Sequence, residues 1–242
     1  MAPGGRSRRR RAGGAGRYYL AVGLLVFVVC VVACYVYILP HSGPETKPVI
    51  LYVNQGNGAV NRTNFAPMAG YANSSGFNTV FFQIYRKGIL LFSQQDLQTF
   101  ITQAHLKDLK IFFSLWITNP SQQIPSSIYG LGEDGVSLDM SNLSLSSQQS
   151  LLVSLKADYS GETAVTTDNM KSTLKPNLLV LETYAADKKS SIKPDIIGSV
   201  EVVATSSQAN YQSQFRYALQ NSDGVMVFDY AGLLKSGYQS SN

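Results

Sequence analysis

The sequence has few of the residues that support metal centres or histidine-based catalysis. Among its 242 residues are only two cysteines, two histidines and one tryptophan. Cys30 and Cys34 share one apolar stretch, whereas His41 and His105 lie far apart along the chain. A structural zinc site takes about four Cys or His ligands, and a Ser-His-Asp triad needs a histidine beside its nucleophile. We therefore expect neither site, and no sequence motif indicates a cofactor.

The positive charge is concentrated at the N terminus. The chain carries 20 Lys and Arg against 15 Asp and Glu, a net charge of +5, and six of the arginines lie within residues 1–17. Without those six, 14 basic residues remain against the 15 acidic ones. The rest of the chain is therefore nearly neutral, and we do not expect a nucleic-acid-binding body.

Residues 18–39, YYLAVGLLVFVVCVVACYVYIL, contain no charged residue and no proline. As a helix rising about 1.5 Å per residue, they are long enough to cross the roughly 30 Å apolar core of a bilayer. The arginines before them predict a cytoplasmic tail over residues 1–17, and hence a single-pass anchor with the C-terminal part outside the cell membrane. Two alternatives stay open, a cleaved signal peptide and a lipoprotein lipidated at Cys34.

After the apolar stretch, short β-branched and aromatic runs alternate with helical patterns. Residues 40–48 predict a proline-rich linker, residues 49–238 an extracytoplasmic domain and residues 239–242 a short tail. Candidate strands are at residues 49–54, 78–85, 110–117, 135–139, 162–167, 178–183, 198–205 and 224–230, with helices predicted at 61–73, 93–106, 146–157 and 207–220. This pattern predicts an α/β fold, a compact or imperfect (β/α)8 TIM-type barrel preceded by one transmembrane helix. An open doubly wound sheet is the alternative, although the glycine-rich phosphate loop common in such sheets is missing.

Acidic residues end three of the predicted strands, at the barrel face where active sites form. Asp139 and Glu182 are the predicted catalytic pair, and side-chain alternation puts Asp139 inside the barrel together with Ser137. The predicted substrate-binding residues are Gln83, Tyr85, Arg86, Trp116, Asp229 and Tyr230. Paired carboxylates beside an aromatic ring, an amide and a guanidinium are the composition of a carbohydrate site. We therefore expect a carbohydrate substrate or ligand.

Several of these residues also have a purely structural interpretation. Asp139 could cap the helix that follows it, and Trp116 could be a core residue. Arg86 with Lys87 could form a solvated loop. Glu201, in the middle of the seventh strand, indicates either a buried charge with a partner or an exposed edge strand, and we favour the edge.

Four segments resemble one known family, in the same order along the chain. They are GFNTVFFQ at 76–83, AHLKDLKI at 104–111 with Trp116 after it, DGVSLD at 134–139 and SDGVMVFDY at 222–230. Together they resemble the glycosyl-hydrolase-like barrel proteins of cell envelopes. The resemblance implies a barrel fold, glycoside hydrolase activity and a catalytic role for Asp139.

The sequence departs from that family's pattern at two places. Where the family has Gln-x-Arg, this chain has Gln83, Ile84 and Tyr85, with Arg86 one position later. The Asp-x-x-Arg-Tyr-Pro that commonly follows the fourth strand reads DMSNLS from Asp139 onwards. Two functions therefore stay open. One is a membrane-anchored glycoside hydrolase acting on an envelope or extracellular polysaccharide, and the other is an inactive surface module with a carbohydrate-binding or structural role.

Overall fold

The computed structural model describes residues 47–54, 60–168, 174–182, 200–206, 215–216, 219–220, 222–228 and 230–236. The predicted tail at 1–17, the predicted membrane span at 18–39, most of the predicted linker and the C-terminal tail at 239–242 lie outside these residues. Within the described ranges, no helix combines the length and the apolar character that crossing a bilayer requires.

The described strands form a closed parallel barrel. They are β1 Val49–Val53, β2 Thr79–Arg86, β3 Ile89–Leu90, β4 Lys110–Trp116, β5 Gly135–Asp139, β6 Glu162–Thr167, β7 Leu178–Leu181, β8 Val200–Ser206 and β9 Gly224–Phe228. All but β3 pair in parallel, and β1 closes the ring by pairing with both β2 and β9. The short β3 runs antiparallel to the end of β2 and forms a hairpin with it. The predicted TIM-type barrel is therefore confirmed, whereas the hairpin was not predicted.

Three of the described α-helices lie between strands in chain order, and the fourth follows the last strand. They are α1 Phe65–Ser74, α2 Gln94–His105, α3 Leu145–Asp158 and α4 Tyr230–Ser236, with short 3-10 helices at Arg62–Asn64 and Ser126–Ile128. The helix predicted at 93–106 is confirmed. It begins with a capping box, in which the side chains of Ser93 and Asp96 each accept the other's backbone N–H. The helix predicted at 207–220 lies largely outside the described residues.

Two apolar layers follow from side-chain alternation along the strands. Residues on the outward face of the strands, such as Val136 and Leu138, pack against the helices, as predicted. The inward layer consists of Ile50, Tyr52, Phe81, Phe112, Ala164, Leu178, Val180 and Met226. Near its floor the Phe81 and Phe112 rings stack at 5.0 Å, and Gly135 leaves room for them because a β-carbon there would overlap the Phe112 ring. The barrel interior is thus packed with apolar side chains, among which the polar residues Gln83, Ser114 and Asp139 lie on the same inward face.

One interpretation made from the sequence needs correction. Glu201 lies on β8, which pairs with β7 on one side and β9 on the other, so the strand is not an edge. Lys47, near the end of the predicted linker, donates from its Nζ to the carbonyls of Leu219 and Ser222.

Candidate active site

Polar side chains from four adjacent strands form a hydrogen-bonded chain inside the upper barrel. The hydroxyl of Tyr52 on β1 accepts from Gln83 Nε2 on β2 at 3.2 Å and from Ser114 Oγ on β4 at 3.3 Å. The same hydroxyl donates to Oδ2 of Asp139 on β5, at 3.5 Å. All four residues are buried. Because its lone pairs are occupied by two donors, the Tyr52 hydroxyl directs its proton to Asp139. Gln83 therefore helps to position the acid.

One serine hydroxyl connects the two carboxyl groups that were predicted to be catalytic. Ser141 Oγ lies 2.7 Å from Glu182 Oε2 and 3.4 Å from Asp139 Oδ1. The two carboxyl oxygens are thus no farther apart than 3.4 Å plus 2.7 Å. Retaining glycosidases hold their carboxyl groups about 5–5.5 Å apart, and inverting enzymes roughly 6.5–9.5 Å apart. The pair lies in one site, with its oxygens closer together than the carboxyl groups of inverting enzymes.

Burial raises the pKa of Asp139 above that of an ordinary aspartate. Its side chain is 9 % exposed, and this desolvation, with the negative charge of Glu182 adding to it, raises the pKa of Asp139 to about 7. Hydrogen bonds from Ser141 and Tyr52 act in the opposite direction. The Asp139 carboxyl group can therefore be neutral near pH 7.

The serine contact is consistent with that neutral state. A hydroxyl carries one proton, so Ser141 cannot donate to Asp139 and Glu182 at once. When Asp139 is protonated, it can donate to Ser141 Oγ while the serine donates to the Glu182 carboxylate. Asp139 then has the properties of a general acid beside an ionised partner. The capping interpretation of Asp139 is wrong, because Ser144 caps the following helix.

A β-bulge at the end of β2 decides which residues face the barrel mouth. Gln83 pairs with Ser114 and Arg86 pairs with Trp116, so three steps along β2 match two steps along β4. Ile84 lies in this irregularity. The extra residue restores the inward face at Arg86, as bulges commonly re-aim side chains. Arg86 thus takes the place two positions beyond Gln83 that the Gln-x-Arg pattern implied.

Two residues predicted to contact substrate lie elsewhere. The bulge turns Tyr85 to the outer apolar layer, where it is buried and its hydroxyl donates to the Gln123 carbonyl at 2.8 Å. Tyr230 begins α4 and packs edge-on against Tyr71 in the same outer layer, and burial raises the pKa of its hydroxyl. Neither side chain therefore faces the barrel interior, and substrate contact by either stays a prediction. Asp229 lies outside the described residues.

Trp116 lies half-buried at the end of β4, between the strands that carry Arg86 and Asp139. It pairs in register with both of those residues. The Arg86 guanidinium carbon is 4.8 Å and Lys87 Nζ 5.2 Å from the centre of the indole ring. Arg86 and Lys87 are exposed, and each makes a cation–π contact with this ring. Trp116 therefore supports two cations at the mouth.

Some site residues were missed by sequence reasoning. Alternation along VILYV already puts Tyr52 on the inward face with Ile50, so that residue could have been found. Ser141 follows the end of β5, so strand alternation gives no indication that it belongs to the site. The hydroxyl oxygens of Ser137 and Thr166 are buried, and neither has a hydrogen-bond partner among the described residues. Within the same ranges, no group of three or more His, Cys, Asp or Glu side chains could hold a metal ion.

Comparison of the sequence with protein-family models and with curated proteins finds no match. Solved structures do match. An HpcH/HpaI aldolase from Desulfitobacterium hafniense has 8 % identity and a TM-score of 0.52, over 79 % of this chain and 90 % of that one. KD(P)GA from T. tenax has 14 % identity and a TM-score of 0.53, over 78 % and 72 %. A maltogenic alpha-amylase from Thermotoga neapolitana has 10 % identity over 77 % and 68 %, but its TM-score of 0.49 carries no weight. Identities this low establish the TIM-type fold alone, and that fold hosts many chemistries.

Proposed function

We propose that the barrel domain hydrolyses glycosidic bonds with retention of configuration, with Asp139 as acid and base and Glu182 as nucleophile. The observation that carries the proposal is the Ser141 hydroxyl, which contacts both carboxyl groups at the C-terminal end of the strands. Active sites of such barrels lie at that end. The short separation of the carboxyl groups fits a covalent intermediate, because it leaves little room for a water molecule between them.

The reaction would proceed in two displacements. In the first, Glu182 attacks the anomeric carbon, the glycosidic C–O bond breaks and the Asp139 carboxyl group protonates the departing oxygen. In the second, the Asp139 carboxylate takes a proton from water, whose oxygen attacks the anomeric carbon and releases Glu182. One water molecule is consumed in each cycle, and both side chains return to their initial states.

The surrounding residues support these roles through position and charge. The hydrogen bond from Tyr52, itself held by Gln83 and Ser114, orients the Asp139 carboxyl group. The raised pKa of Asp139, about 7, supplies a proton in neutral solution. Because the buried hydroxyls of Ser137 and Thr166 lie on the inward face beside Asp139, they can bind an internal water molecule.

For cellular location, we propose a single-pass membrane protein anchored by residues 18–39, with the barrel outside and an envelope or extracellular polysaccharide as substrate. The apolar run and the six arginines before it support this arrangement. Protease added to intact cells should then digest the barrel. Protection until the cells are lysed would contradict the proposed topology and leave the chemistry to be judged separately.

A second function is favoured by one observation. Asp139 is only 9 % exposed, which limits direct access of a glycosidic oxygen to its carboxyl group. An inactive module that binds carbohydrate at the barrel mouth would not need that access. Glycan binding without turnover is the outcome that would support it.

Turnover of a glycan panel by the full-length protein tests the proposal. Asp139→Asn and Glu182→Gln should each lower kcat on the best substrate by about 100-fold or more, the usual contribution of a general acid or nucleophile. Asp108→Asn is the matched control, because Asp108 is exposed in a left-handed turn that asparagine also accepts. NMR of the first product should show a retained anomeric configuration. Turnover that survives both site substitutions, or an inverted product, would refute the assignment.

A further inference from the structure

Two cations at the barrel mouth have no acidic partner within the described part of the chain. The ion pairs found there involve other side chains, and no carboxylate pairs with Arg86 or Lys87. Both side chains are exposed at the end of β2. Their positive charge is therefore available to a ligand that reaches the mouth.

The backbone holds these two cations in position. Arg86 pairs with Trp116 on β4 and with Ile89 on β3, so it lies within the sheet despite its exposed side chain. Lys87 and Gly88 form the two-residue turn of the hairpin, with φ of 50° and 89°. Positive φ at both turn residues is typical of the type I′ turn, which fits the twist of a hairpin. The hairpin thus fixes the backbone from which both charged side chains extend.

The indole ring of Trp116 is already engaged by these cations, with both charged groups about 5 Å from its centre. An uncharged pyranose that stacked on the ring would have to displace at least one of them. A carboxylate, by contrast, would be attracted to both. Arg86 presents a planar fork of N–H donors that matches a carboxylate, and Lys87 adds a second charge.

We propose that Arg86, Lys87 and Trp116, together called the cationic rim, bind the carboxylate of a uronic-acid saccharide. This proposal rests on the proposed glycoside hydrolase function and names its substrate class. The rim would also overcome a charge conflict, because an acidic sugar approaching Glu182 is repelled unless its own carboxylate is neutralised nearby. The strand of Trp116 lies directly between those of Arg86 and Asp139, so adjacent sugar units could contact the rim and the carboxyl pair together.

Glycan binding, measured separately from turnover, tests the cationic rim. The full-length protein carrying Asp139→Asn, which prevents hydrolysis, would be titrated with oligosaccharides of galacturonate, glucuronate and mannuronate. Each would be compared with its own methyl ester, which has the same length and linkage but no charge. We expect at least one acid to bind about tenfold or more tightly than its ester, the usual strength of a charge-assisted hydrogen bond.

Substitution of the rim gives the second arm of the test. Arg86→Gln with Lys87→Gln should abolish the preference for the acid over its ester. Lys107→Gln with Arg216→Gln removes the same charge at exposed positions outside the rim and should keep the preference. Equal binding of acid and ester, equal effects of the two double variants, or no binding of any acid would overturn the proposal. Turnover of neutral glycans that depends on Asp139 would then still support the hydrolase function, so the two failures are distinguishable.

Discussion

Replacing Asp139 by asparagine should make the protein more stable at neutral and alkaline pH. In the unfolded chain this carboxyl group ionises near pH 3.8, whereas burial raises its pKa to about 7 in the folded state. Between these two values the folded state holds a proton that the unfolded state has released. Stability must therefore fall as the pH rises through this window, and the full cost is present above pH 7. Asparagine has no proton to release and is free of this cost.

The expected magnitude follows from the two pKa values. Each pH unit between them corresponds to about 1.4 kcal/mol, so the complete shift corresponds to about 4 kcal/mol in the free energy of unfolding. Asparagine can also donate its amide N–H to Ser141, as the protonated acid does. Relative to the natural protein, the Asp139→Asn variant should therefore gain up to about 4 kcal/mol between pH 4 and pH 8.

Urea unfolding of the full-length protein at several pH values measures this gain. The quantity of interest is the difference in unfolding free energy between the variant and the natural chain, plotted against pH. The exposed Asp108→Asn substitution should give a difference that is nearly constant with pH. If the Asp139→Asn difference is equally flat, the carboxyl group is not kept neutral by burial, and its assignment as general acid loses its physical basis.

Two further predictions concern the serine bridge and the barrel floor. Ser141→Ala removes the hydroxyl that contacts both carboxyl groups, so the alkaline limb of the pH–activity profile, which reports the pKa of Asp139, should shift. Ser160→Ala at an exposed position should leave that limb in place, and an unmoved limb for Ser141→Ala would contradict the proposed bridge. Gly135→Ala should lower the unfolding free energy by about 1–3 kcal/mol, because it forces a methyl group into the stacked rings. Gly70→Ala, in an open helical position, should raise it by up to about 1 kcal/mol. Equal effects of the two substitutions in thermal unfolding would refute the packing argument.

The barrel and the position of its acid could be predicted because both depend on short-range patterns. Parallel strands buried on both faces are continuous apolar runs, and these were recognised from residue 49 to the last strand. Alternation along GVSLD correctly put Ser137 and Asp139 inside, since no irregularity interrupts that strand. The Ser93 cap was likewise local, because its partner Asp96 is three residues away.

The remaining features depend on contacts that no single segment encodes. Tyr85 was assigned to the wrong face because a bulge of apolar residues leaves the hydrophobic pattern of a buried strand unchanged. Glu201 suggested an exposed edge strand. Whether a strand lies at an edge depends on its pairing, and β8 pairs with β7 and β9, which are separate segments of the sequence. Ser141 belongs to the site because it contacts Asp139 and also donates a hydrogen bond to Glu182, which follows β7, distant in the sequence.

The irregularity in β2 also bears on how chains of this kind can be compared. A single inserted residue would ordinarily turn every later side chain of a strand inside out. Here the distortion around Ile84 absorbs the insertion, and the arginine beyond it regains its orientation. Searches that require a constant interval between the glutamine and the arginine would therefore discard such a chain. Superposition of backbones, which is indifferent to that interval, would recover the equivalence.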